Sequence, residues 1–145
     1  MDMEIYVIDY ESGDYNKVLN LRNEVLRKPL GLNLFEEDLS DEKNQHIIIA
    51  KKQEKLLACV LIKALERHCV KIRQMAVNEI MQKKGVGSLL MKFVENFCLL
   101  NKYYNLELNA RKTAIPFYEK LGYEIEGEEF LEIGIVHFKM IKKLV

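Results

Sequence analysis

A chain of 145 residues is close to the commonest single-domain size and can bury one substantial core of its own. Apolar residues make up 49% and charged ones 30%, with only 7 Gly and 2 Pro, a balance that excludes a disordered or low-complexity chain. Lys plus Arg and Asp plus Glu both number 22, so no net field draws the protein to nucleic acid or an anionic membrane, and any anion must be recognised locally.

The three cysteines, Cys59, Cys69 and Cys98, are odd in number and sit in apolar stretches, which suggests neither a disulfide framework nor a metal knuckle. Apolar runs such as 58–62 fall far short of the roughly 20 residues that a bilayer span needs, and Met1-Asp2-Met3-Glu4 does not read as a signal peptide. The expectation is one domain over residues 1–145, cytoplasmic, with no metal.

In chain order, Ile5 and Val7 open a short strand, and Tyr15, Val18, Leu19, Val25 and Leu26 recur at roughly helical spacing. Lys28-Pro29-Leu30-Gly31 and the acidic residues that follow, as far as Glu42, read as a surface excursion. Residues 46–52 and 55–65 are rich in Ile, Leu and Val, with only Gln53-Glu54 between them, which predicts an antiparallel hairpin. Across 70–77 the apolar phase changes: Val70 and Ile72 are even, Met75 and Val77 odd. A bulge between Ile72 and Met75 restores both pairs to one face and leaves backbone groups free to meet a ligand.

From Val86, the residues Leu89, Leu90, Phe93, Val94 and Phe97 define the clearest amphipathic helix. Leu106 and Leu108 make a strand, and Thr113 is placed to cap a helix carrying Ile115, Tyr118 and Leu121, with Gly122 as its left-handed end. Residues 123–125 and 135–142 close the chain as a hairpin around an acidic loop. The order is β-α-β-β-β-α-β-α-β-β, an α/β domain with a mixed, mainly antiparallel sheet.

Gln82-Lys83-Lys84-Gly85-Val86-Gly87-Ser88 lies where a strand passes into the best helix, so unpaired N–H groups and the helix dipole favour a pyrophosphate. Gly85 and Gly87 admit close backbone approach, and Lys83 and Lys84 add positive charge at the rim. A Walker A loop needs Lys and then Ser or Thr after its last Gly, whereas Ser88-Leu89 stand here, and a dinucleotide fingerprint needs a third Gly where Leu90 stands.

The segment from Gln82 to Gly87 resembles the coenzyme-binding signature of the GNAT superfamily: Arg or Gln, two residues, Gly, one residue, Gly or Ala. Arg73-Gln74-Met75-Ala76-Val77 is similar to that family's bulged fourth strand, and Ala114-Ile115-Pro116-Phe117-Tyr118-Glu119-Lys120-Leu121-Gly122-Tyr123 to its closing helix and strand. The likeness implies a sheet split between its fourth and fifth strands, with acetyl-CoA as cosubstrate. By that resemblance the backbone of Met75, Ala76 and Val77 would hold the pantetheine arm, and the amides of Lys83, Lys84, Gly85, Val86, Gly87 and Ser88 the pyrophosphate. Asn109 would join the pantetheine site, and Tyr118 would protonate the departing thiolate.

His137 follows Gly134-Ile135-Val136, similar to a Gly-Ile-Pro-His segment of small family members, with Val136 where Pro usually stands. An imidazole there can take the amine's proton or bind the acceptor, or serve only as a strand residue. His46 and His68 read as solvated strand ends, and no cysteine is placed as a nucleophile. The expected reaction is direct acetyl transfer to a primary amine, with a non-catalytic acyl-CoA sensor as the alternative. No nucleic acid or membrane partner is expected, and a homodimer is left open.

Overall fold

The computed structural model describes residues 2–145. Strand β1 (Glu4–Ile8) leads into helix α1 (Gly13–Arg22), which continues through a π-helical turn (Asn23–Arg27) into three short 3-10 turns ending at Asn44. Strands β2 (His46–Lys52), β3 (Lys55–Ala64) and β4 (Cys69–Val77) form an antiparallel meander, followed by helix α2 (Val86–Leu100), strand β5 (Asn105–Arg111) and helix α3 (Ile115–Lys120). Strands β6 (Glu124–Ile125), β7 (Phe130–Glu132) and β8 (Ile135–Lys143) complete one sheet in the order β1-β2-β3-β4-β5-β8-β6, with β7 on β8. Among the described residues no helix is long and apolar enough to cross a membrane.

Both faces of the sheet are covered, which is why β3 reads as a continuous apolar run rather than an alternation. Ala58, Val60 and Ile62 join α2 residues Val86, Leu90, Met91, Val94 and Cys98 in one core. On the other face Cys59 and Leu61 meet Tyr15, Val18 and Leu19 of α1. Full burial of a side chain such as Leu90 or Val94 contributes roughly 1.5–3 kcal/mol.

Pairing between β4 and β5 is parallel and covers only Cys69–Asn105 through Ile72–Leu108. Beyond that point β5 stays bonded to β8, with Asn109 opposite Lys139 and Arg111 opposite His137. On the other side, β4 follows β3 with a register shift between Cys59 and Leu61, where Gln74 takes a φ of 56°. The expected bulge is therefore present: Val70, Ile72, Met75 and Val77 all meet the α2 core, and Ala76 meets the α1 core. The bulge turns β4 away from β5 and leaves the sheet open between them.

Three local expectations need correction. Thr113 lies inside a 3-10 turn (Lys112–Ala114), and α3 starts without a side-chain cap. His46 is not solvated at its strand end but packs edge-on against Phe97 at 5.0 Å. The segment read as a surface excursion buries Leu34 and Glu42. Glu42 accepts hydrogen bonds from Arg22 Nη1 and Nη2 at 2.7 Å each and from the Tyr15 hydroxyl at 2.7 Å, so a buried ion pair anchors this stretch to α1.

Candidate active site

The opening between β4 and β5 is a cavity of ≈ 380 Å³. Met75, Asn109, Tyr118 and His137, singled out from the sequence, all line it. Directly opposed residues of an antiparallel pair share a face, so Arg111 and His137 stand together, and the burial alternation of β5 places Asn109 on that face too. Arg27, at the end of the π turn after α1, lines the same side. Tyr118 belongs to α3 and to the α2 core on the opposite side of the sheet. The cavity is thus lined by residues from both faces of the sheet, with different chemistry at its α3 and α1 ends.

At the α3 mouth, Tyr118 is 7% exposed and stacks edge-on against Phe117 and Tyr123 at 4.9 and 5.8 Å. Burial pushes its phenol up to about 12, so the hydroxyl keeps its proton throughout the physiological range.

At the α1 mouth, His137 Nδ1 lies 3.0 Å from the Ile135 carbonyl oxygen. A carbonyl can only accept, so in the neutral ring Nδ1 carries the hydrogen and Nε2 keeps the lone pair. Nε2 stands 3.5 Å from Glu132 Oε2, and Glu132 Oε1 accepts a long hydrogen bond from Asn109 at 3.4 Å. The site thus sets the Nε2 lone pair beside a carboxylate.

The loop ahead of α2 lies outside this cavity. Gln82 Nε2 donates to the Val77 carbonyl at 3.0 Å, tying the loop to the end of β4. Gly85 caps α2 with a φ of 83°, a conformation that costs a side-chain-bearing residue about 1–2 kcal/mol. A Cβ on Gly87 would stand 3.2 Å from Phe117 Cζ, closer than the ring can accept without moving. The N–H groups of the first helical turn, Val86, Gly87 and Ser88, have no acceptor within the helix, while Lys83 and Lys84 are exposed beside them. A small-residue cradle of backbone donors at a helix N-terminus suits an anionic group such as a pyrophosphate.

None of the three cysteines lines the cavity. Burial pushes the Cys59 and Cys98 thiols up to about 12, which leaves them poor nucleophiles at neutral pH.

Residues 13–144 match the family model described as the acetyltransferase (GNAT) domain. The chain belongs to this family.

Among GNAT relatives, an uncharacterized N-acetyltransferase of Bacillus subtilis, YjcF, is 37% identical over 73 residues, 50% of this chain and 52% of that protein. The chain therefore spans about half the length of the curated relatives it matches. The solved structure of a candidate N-acetyltransferase from Lactobacillus plantarum superposes with a TM-score of 0.89 at 19% identity, covering 100% of both chains. A GNAT family acetyltransferase from Elizabethkingia anophelis, solved with acetyl-CoA bound, superposes with a TM-score of 0.74 at 19% identity over 99% of both chains.

Sequence reasoning gathered the motifs between Met75 and Ser88 but not the cation-rich wall of the cavity, which includes Arg27, Lys71, Arg73 and Arg111. Arg111 lies two residues after Asn109 in β5 and so shares its face, a signal available from the sequence. Nothing local marks Arg27, whose partner Glu37 sits in the segment read as an excursion. Of the acidic loop, Glu132 lines the cavity, whereas Glu126 pairs with Lys139 at 3.2 Å outside it.

Proposed function

We propose that this protein transfers an acetyl group from acetyl-CoA to a primary amine by direct attack, both substrates being bound together. The observation that carries the proposal is the cavity between β4 and β5, with a proton-bearing phenol at one end and a lone-pair nitrogen at the other. The small-residue cradle ahead of α2 fits a pyrophosphate, and the acetyl-CoA bound to the Elizabethkingia relative supports that donor.

Acetyl-CoA would supply the activated thioester; the new bond is amine nitrogen to carbonyl carbon, and the bond that breaks is carbonyl carbon to sulfur. Lys83, Lys84, Gly85, Val86, Gly87 and Ser88 would hold the pyrophosphate through backbone N–H groups, with Gln82 keeping the loop in shape. The β4 backbone of Met75, Ala76 and Val77, freed from β5 by the bulge, would pair with the pantetheine amides, and Asn109 would add a side-chain contact.

An alkylamine of pKa about 10 arrives protonated and must lose that proton before it attacks. His137 Nε2 can accept it, and the Glu132 carboxylate steadies the resulting imidazolium. Tyr118, whose buried phenol keeps its proton at neutral pH, would donate that proton to sulfur as the carbon–sulfur bond breaks. A protonated phenol and a basic imidazole on opposite faces keep the two transfers apart.

Calorimetric titration of acetyl-CoA into the wild type and Gly85→Glu, followed by an amine screen for thiol release with wild type and Tyr118→Phe, tests this reading. Tight binding lost in Gly85→Glu, together with amine-dependent release slowed in Tyr118→Phe, supports it. Binding without release for any amine would make the protein an acyl-CoA sensor, and no binding to folded protein would remove the coenzyme from the account.

A further inference from the structure

Charge is unevenly neutralised around the α1 mouth. Arg27 is 5% exposed and is held by Glu37 through Nε at 2.6 Å and Nη2 at 3.2 Å. Arg73 donates to the Gln45 side-chain oxygen at 2.7 Å and lies 3.9 Å from Glu42, yet Glu42 already takes Arg22 in a two-pronged bond. Arg111 donates to the Leu26 carbonyl at 2.8 Å and, among the described residues, makes no ion pair. Four guanidiniums, with Lys71 also lining the cavity, thus meet three carboxylates: Glu37, Glu42 and Glu132.

The arginines also strain against their surroundings. Loss of water, and next the nearby charge of Arg27, both push the Arg111 guanidinium below its ordinary value. Desolvation does the same to Arg73. A bound anion would relieve both effects, and a planar guanidinium matches a carboxylate in fork geometry.

Resting on the transferase reading above, we propose that the amine acceptor also carries a carboxylate, anchored by Arg111 at the α1 mouth. Arg111, held only by a backbone carbonyl, suits a carboxylate. Arg111 and His137 are directly opposed in the β5–β8 ladder, where Cβ atoms stand about 4.5–5.5 Å apart on one face. An amine that reaches His137 therefore has its carboxylate only a few bonds away, which points to an α- or β-amino acid. A diamine of similar length would place its second cation against Arg111.

The test compares kcat/KM for α-amino acids and β-alanine, each beside its primary amide, and for 1,3-diaminopropane, using acetyl-CoA and thiol release. Acids should exceed amides about 10- to 100-fold, the range expected of a charged hydrogen-bonded anchor. Arg111→Gln, which keeps a donor for the Leu26 carbonyl, should collapse that ratio through KM. Amides or the diamine used as well as the acids, or a variant that lowers acid and amide equally, overturns the anchor.

A second measurement needs no turnover: the melting temperature of the CoA-loaded protein with propionate or propionamide. Selective stabilisation by propionate, absent in Arg111→Gln, is expected, and equal responses overturn the proposal. Selective stabilisation without thiol release for any acceptor would sink the transfer reading while leaving the carboxylate site standing.

Discussion

The loop ahead of α2 and the α1 mouth of the cavity in this GNAT protein are built differently. Residues 82–88 are consecutive, and their offer to an anion is backbone N–H shaped by two glycines. The α1 mouth assembles side chains from the turn after α1, from β4, β5, β7 and β8, and is propped from behind by the buried Arg22–Glu42 pair. A site made of adjacent backbone survives almost any side-chain change except bulk at a glycine, whereas a site made of distant side chains depends on each support.

The largest effect is expected at that support. Glu42→Ala would leave Arg22, 0% exposed, buried without a counter-charge and Tyr15 without its acceptor, at a cost of about 3–5 kcal/mol, measurable by urea unfolding. Burial alone would raise the Glu42 carboxyl, but the hydrogen bonds and charge of Arg22, with help from Tyr15 and Arg73, outweigh it and hold the group below its ordinary 4.5. Because the folded value is the lower one, the stabilisation is fully present above pH 4.5 and is lost as the pH falls through the folded value. The wild type should therefore lose stability below pH 4.5 more steeply than Glu42→Gln. A flat difference between the two would show that the pair contributes no charge-dependent stability.

On the coenzyme side the corresponding break is Gly85→Glu. It places a carboxylate next to the expected phosphates, where two charges about 4 Å apart at an effective dielectric of 20 repel by about 4 kcal/mol before salt screening. About a 100-fold weaker acetyl-CoA affinity should remain, with the α1 mouth untouched. Nothing stands within 4 Å of the added Cβ, so folding should change only by the left-handed backbone strain.

Tyr118→Phe tests the α3 mouth. Removing a general acid typically lowers rate about 100-fold or more, here in kcat with little change in acetyl-CoA affinity. With its phenol at about 12, Tyr118 should impose no alkaline limb on kcat below roughly pH 11. His137→Gln should instead lower kcat/KM about 100-fold or more, because it deletes the nitrogen that accepts the amine's proton.

The difference in construction also governs how much was legible in advance. The change of apolar phase between Ile72 and Met75 disclosed the bulge because strand periodicity is local. Gly85 and Gly87 disclosed the tight turn into α2, because backbone geometry writes its needs into neighbouring residues. The segment between α1 and β2 misled because its acidic residues look solvent-seeking, and only the fold shows Glu42 reaching Arg22 and Tyr15. Thr113 failed as a cap because a 3-10 turn through Ala114 moved the start of α3 past it. The short β7 was hidden within a run of glutamates, since three residues of pairing on β8 leave no periodic trace.

The smallest expected effect separates backbone from side chain within the loop ahead of α2. Lys83 and Lys84 are exposed, so their charge acts through water and is screened over about 8–10 Å at ordinary salt. If the amides at the start of α2 hold the pyrophosphate, Lys83→Ala with Lys84→Ala should weaken acetyl-CoA binding only about threefold, and less at higher salt, as surface cations usually do. A loss as large as that of Gly85→Glu would mean the lysines bind phosphate directly, and the loop would then be a side-chain site like the α1 mouth. Lys83 takes a φ of 64°, so Lys83→Gly separates the two accounts further: it removes the charge while relieving backbone strain. A higher melting temperature with nearly unchanged affinity would establish that the loop needs its shape more than its lysines.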